Sequence, residues 1–256
     1  MHDVSAFQAL TDEVATRFLA SRGARGLVFV GSAADAARRD RWSDHDFLAM
    51  VDDGPAARSH VDWLPDPERL LFVAREGELG FSALYDDGHL LEFAVGSSGE
   101  LGGVAITEPF LAFGGDEYRA LVGERAGASS SALPDAANET SLAYVKLLVG
   151  FGRARRGERI VAGQFVRCWA IRHLLAAARV RLPTAAVDVD PLEPARRFDA
   201  HHPEFAARLD AELAAPVEIA ALGVARLARD VLEPGWDEFP SRAADVVIGI
   251  LEAGDG

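Results

Sequence analysis

Apolar residues recur along this chain with two different periods, and the change from one to the other divides it near residue 130. Phe7, Leu10, Val14, Phe18 and Leu19 fall at helical spacing over residues 5–21 and predict an amphipathic N-terminal helix. Short apolar runs of strand type follow. Gly26-Leu27-Val28-Phe29-Val30 and Asp46-Phe47-Leu48-Ala49-Met50-Val51 predict two strands, and Leu70-Leu71-Phe72-Val73-Ala74 a third. Residues 80–95 read as a hairpin about Asp87-Gly88, with Glu92 the one charge in its second strand. Val61-Asp62-Trp63-Leu64, closed by Pro65 and Pro67, predicts a short helix. Residues 106–113 predict a last strand, which Pro109 assigns to a sheet edge.

Beyond the small, Gly/Ser-rich stretch at residues 126–134, which reads as a linker, the period changes to that of helices. Helical patterns cover about 136–155, 158–180, 203–214, 216–232 and 241–252, broken by Gly157 and by prolines at 183, 191, 203, 216, 234 and 240. The expected architecture is an α/β (α+β) domain with a mixed sheet over residues 1–130, followed by an all-α helical bundle over 131–256.

The chemistry concentrates between the first two strands. Gly31-Ser32 ends the first, where a missing side chain lets the backbone approach a ligand, and Asp44-His45-Asp46 opens the second. Residues two apart in a strand share a face, so Asp44 and Asp46 project one way and His45 the other. Two adjacent carboxylates repel unless a cation lies between them, and carboxylate with phosphate oxygens is the ligand set that Mg²⁺ prefers. The pattern points to metal-assisted phosphoryl or nucleotidyl transfer.

This segment, a Gly-Ser turn, a short helix and Asp-x-Asp entering a strand, resembles the signature of the polymerase-beta-like nucleotidyltransferase superfamily. The resemblance is closest in character to the aminoglycoside and lincosamide nucleotidyltransferases. It implies a third carboxylate on a neighbouring strand, for which Glu92 is the candidate, as metal ligand or as general base on an acceptor hydroxyl. It implies ATP or another nucleoside triphosphate as donor, held by Gly31 and Ser32, with Mg²⁺ on Asp44, Asp46 and Glu92. In the superfamily a lysine on the first long helix of the second domain often reaches the triphosphate. Lys146, the one lysine in the chain, lies in the matching run and suits that role as a compact point charge. The helical half would then close over nucleotide and acceptor. Arg153, Arg155 and Arg156, and the stretch Arg196-Arg197-Phe198 with Pro203-Glu204-Phe205, are similar to segments of those helical domains, although cations in the last turn of a helix also simply complement its dipole.

Composition narrows the partners. A formal charge of −14 argues against nucleic acid, which demands a basic footprint. Residues 1–130 hold 22 acidic and 11 basic groups against 18 and 15 in the remainder, so the acidic first half suits a cationic small acceptor, although acidity also serves solubility. No run is long and apolar enough to span a membrane and the N-terminus lacks a signal-peptide layout, so a cytoplasmic protein is expected. One cysteine, Cys168, excludes an internal disulfide and reads as a buried helix thiol. The histidines show no metal spacing, and neither a P-loop nor a zinc or serine hydrolase pattern is present. The expected activity is transfer of a nucleoside monophosphate, AMP by family habit, to a small-molecule hydroxyl, with antibiotics among the acceptors. Two alternatives stand beside it: a nucleotide-binding regulator of the same fold without turnover, and a transferase acting on a protein, as in toxin–antitoxin pairs.

Overall fold

A computed structural model describes residues 4–52, 61–101, 111–114, 133–183 and 193–254. By its internal contacts the chain forms two compact units, Met1–Ser130 and Ser131–Gly256.

The first unit is a six-stranded mixed sheet with a long helix packed on one face. The helix α1 (Val4–Ala20) leads into β1 (Ala24–Val30), and a four-residue helical turn α2 (Gly31–Ala34) with a 3₁₀ turn (Ala36–Arg38) leads to β2 (His45–Val51). Next come β3 (Leu70–Glu76), β4 (Gly80–Tyr85), β5 (Leu90–Gly96) and the edge strand β6 (Leu111–Gly114). The strand order is β3-β4-β5-β2-β1-β6. All neighbours are antiparallel except β2 and β5, which run parallel with Asp46 opposite Glu92.

Alternation along the strands decides which face is covered. Phe29, Phe47, Phe81, Phe93 and Val95 pack with Phe7, Val14 and Phe18 of α1 and with Trp63 in the main core of this unit. The Phe47 and Phe93 rings, partners across the parallel ladder, stack with centroids 4.9 Å apart. The other face carries a smaller cluster of Val28, Met50, Leu101 and Ala112. At the hairpin turn Gly88 adopts φ +84 and donates its amide to Tyr85 O, as the Asp-Gly pair demands.

Two details depart from the sequence pattern. Leu19 lies on the outer face of α1, 39 % exposed, one residue past the buried Phe18. Residues 61–64 form a turn closed by Leu64 N–H to Val61 O (3.1 Å), not a helix. Trp63 and Leu64 are both buried there, and four residues ahead of Pro65 are too few to complete a hydrogen-bonded helix. Pro109 and most of the stretch read as a linker lie outside the described residues.

The second unit is helical: α3 (Ala136–Arg155), α4 (Arg159–Gly163), α5 (Ala170–Arg181), α6 (Phe198–His201), α7 (Pro203–Leu213), α8 (Val217–Leu232) and α9 (Ser241–Ala253). Asp135 caps α3 by accepting from the Ala137 and Asn138 amides. The helix expected to run unbroken over 158–180 contains a π-helical segment, Gln164–Trp169. There α3 comes so close that a Cβ on Gly150 would lie 2.6 Å from Val166 Cγ2. Ala162, Val166 and Ala170 face the core at intervals of four. Cys168, two residues from Val166, therefore points outward and is exposed, contrary to the buried thiol that its apolar neighbours suggest. The arginines at the end of α3 have a structural employment: Arg153 and Arg156 both pair with Glu158, at 2.6 and 3.3 Å.

Candidate metal and phosphate site

Three carboxylates from two chain segments converge on the face of the sheet opposite α1. Asp44 immediately precedes β2, Asp46 is its second residue, and Glu92 is the third residue of β5. Period-two alternation directs Asp44 and Asp46 to one face while His45 turns into the core. Parallel pairing then sets Glu92 beside Asp46 on that face. One oxygen from each carboxylate lies within 4.8 Å of the others.

The Glu92 carboxyl is held above its ordinary range, first by partial burial, then by the charges of Asp44 and Glu76. Glu76 reaches the neighbourhood through Ser82, which faces Glu92 across β4 and β5 and donates to Glu76 Oε1 at 2.7 Å. An all-oxygen, anionic donor set of this kind fits a hard divalent cation, whose charge would offset the repulsion.

The Gly31–Ser32 turn borders the carboxylates. Gly31 has φ +61, and a Cβ there would stand 3.3 Å from Asp46 Oδ2, so both backbone conformation and space favour glycine. The Ser32 hydroxyl donates to Asp44 O (3.2 Å), tying the turn to the residue before β2. Arg39 donates from Nε to Ser32 O (3.0 Å) and from Nη2 to Ala33 O (2.8 Å).

Gly31, Ser32, Asp44, Asp46 and Glu92 thus come together on the first unit. Lys146 stands on the second, half-buried midway along α3. Sequence reasoning did not single out Arg39, Glu76, Thr11, or the contact of His45 with His89, all of which adjoin or underlie the carboxylates. His45 and His89 are 44 positions apart, and only the parallel pairing of β2 with β5 brings them together.

No protein-family model matches the chain, and no curated protein matches its sequence. Among solved structures it is similar to an aminoglycoside 6-adenyltransferase from Bacillus subtilis, with 12 % identity over 99 % of both chains and a TM-score of 0.36. It is also similar to the Bradyrhizobium diazoefficiens CD-NTase CdnG in complex with GTP, with 14 % identity over 96 % of this chain and 92 % of that one and a TM-score of 0.26. Among the described residues no helix is long and apolar enough to cross a membrane.

Proposed function

We infer that the chain is a divalent-metal-dependent nucleotidyltransferase, which moves a nucleoside monophosphate, AMP from ATP, to a hydroxyl of a small molecule. The observation that carries this reading is the convergence of Asp44, Asp46 and Glu92 within 4.8 Å beside a positive-φ glycine turn. Asp44, Asp46 and Glu92 would hold Mg²⁺, which when bound neutralises phosphate charge and polarises the phosphorus under attack. Gly31 leaves room for a phosphate against the backbone, where the turn's amides can donate to it. Glu92, its carboxyl raised by its surroundings, is the member suited to orient the acceptor hydroxyl and take its proton. Lys146 is assigned to the departing pyrophosphate, on the ground that it is the chain's one lysine. A cationic acceptor of the aminoglycoside or lincosamide kind agrees with the acidic surplus of residues 1–130.

The test is pyrophosphate release from ATP and Mg²⁺ across a panel of aminoglycosides, lincosamides and other hydroxylated amines, with Asp46→Asn as control. Release that depends on one acceptor and vanishes in Asp46→Asn, with unchanged circular dichroism, is expected. Nucleotide binding without release for any acceptor would favour a regulatory protein instead, and full turnover in Asp46→Asn would remove the carboxylates from the mechanism.

A further inference from the structure

One turn of α1 grips both halves of the site from the covered side of the sheet. Arg39, which holds the Ser32 and Ala33 carbonyls, gives its remaining Nη1 to Gln8 Oε1 (2.9 Å), and its guanidinium lies 4.9 Å from the centre of the Phe7 ring. His45, fully buried between Asp44 and Asp46 in sequence, stacks on the same Phe7 with centroids 3.8 Å apart. Its Nε2 lies 2.9 Å from Thr11 Oγ1 and its Nδ1 2.7 Å from His89 Nε2.

The proton positions follow from counting hydrogens. Thr11 Oγ1 sits 3.0 Å from Phe7 O, a contact between two oxygens that needs the hydroxyl hydrogen between them. With that hydrogen spent, Thr11 accepts from His45 Nε2–H. A neutral His45 then accepts at Nδ1 from His89 Nε2–H. A directional chain runs from the β4–β5 turn through His89 and His45 to α1.

We propose that α1 is a positioning element of the site, acting through Arg39 on the Gly31–Ser32 turn and through Thr11 and His45 on the strand that carries Asp44 and Asp46. The inference rests on the reading of the carboxylates as a metal site. Without a cation, three carboxylates within 4.8 Å push apart the ends of β2 and β5. The His89–His45–Thr11 chain ties those ends to each other and to the helix beneath, and Arg39 fixes the turn opposite them. Groups that hydrogen-bond a metal ligand directly set its orientation, and their loss commonly weakens metal binding by about 10–100-fold. Thr11 and His89 act one residue further back, through His45, so an effect at the low end of that range is expected.

The two arms make separable predictions, tested on the full chain with Mn²⁺ titrated by electron paramagnetic resonance and ATP binding followed in saturating Mn²⁺. Thr11→Val keeps the shape of the side chain and removes its hydroxyl, and should weaken Mn²⁺ binding by about 10-fold, while Thr11→Ser restores wild-type affinity. Arg39→Met should leave Mn²⁺ affinity of the protein alone unchanged and weaken ATP binding by about 10-fold through the loosened turn, the order expected when a charge-assisted hydrogen bond is lost. A wild-type protein that binds both ligands, with Thr11→Val and Arg39→Met indistinguishable from it, overturns the positioning role alone. Equal losses of both ligands in both variants, in step with a lower Tm, also overturn it, since general destabilisation would then be the cause. A wild-type protein that binds neither Mn²⁺ nor ATP defeats the metal-site reading and the brace together.

Discussion

Replacing Glu92 by Gln should stabilise the metal-free protein and destabilise the metal-loaded one, an inversion that tests the site without any acceptor. Glu92 carries a raised carboxyl, so the folded chain binds its proton more tightly than the unfolded chain does. The stability this contributes is complete below the ordinary carboxylate range and is lost as pH rises through the folded value. At neutral pH the ionised side chain therefore opposes folding. Two unit charges 4.8 Å apart, the outer limit of the oxygen separations here, repel by about 0.9 kcal/mol in water and about 3.5 kcal/mol at an effective dielectric constant of about 20. Glu92 is exposed, so the lower figure governs, and a gain of about 1 kcal/mol is expected from Glu92→Gln. For a chain of this size that raises Tm by about 2–4 °C. Mn²⁺ at about 100 times its dissociation constant would stabilise the wild type by about 2.7 kcal/mol, a contribution the Gln variant largely forfeits. Calorimetry of both proteins, with chelator and with Mn²⁺, at pH 7.5 and at pH 4, checks the inversion. The chelator difference should shrink at the lower pH, as Glu92 takes up its proton and loses the repelling charge. A lower Tm for Glu92→Gln in chelator, or a wild-type Tm indifferent to Mn²⁺, refutes the reasoning.

Gly31→Ala forces a side chain into the left-handed region, which costs about 1–2 kcal/mol, and crowds Asp46; the denaturation midpoint should fall and ATP affinity with it, and an unchanged affinity would separate the turn from the nucleotide. Phe93→Ala removes the ring that stacks on Phe47 and should cost about 3–5 kcal/mol in urea denaturation, against a few tenths for Val246→Ala on the exposed face of α9. Cys168 should react stoichiometrically with a thiol reagent in the folded protein, and Cys168→Ser should change stability by less than about 0.5 kcal/mol; protection until denaturant is added would contradict its outward orientation.

The sheet was legible where period-two alternation and turn chemistry agreed. The hairpin around Asp87-Gly88 forms with its turn as expected, because a glycine that supplies positive φ leaves few other geometries. The helices of the second half follow their proline and glycine punctuation closely. The failures have a common origin in packing that local pattern does not encode. Residues 61–64 close as a single turn, too short before Pro65 for a helix, and the turn is held by the burial of Trp63 and Leu64 in the core. The π-helical segment follows the close approach of α3 at Gly150, a contact between distant segments. At the site, the shared face of Asp44 and Asp46 was readable from spacing, and Glu92 from being a charge in an apolar strand. His45 was read as pointing away from the carboxylates, and it does, yet nothing in its surroundings in sequence announces Thr11 and His89 as partners. Those contacts depend on how α1 and β5 dock on β2.

The parallel pairing of β2 with β5 has a consequence for how the molecule acquires its site. Asp46 and Glu92 are 46 positions apart in the chain, with β3 and β4 between them, whereas β3–β4 and β4–β5 are local hairpins that can close by themselves. The central ladder is thus a non-local step in assembling the sheet, as is the pairing of β1 with β6, and the three carboxylates meet only when the central ladder closes. Metal affinity is for this reason a property of the closed β2–β5 ladder and of neither strand alone. A bound cation adds its binding free energy to that pairing, and it would report, during refolding, the moment at which the two strands meet.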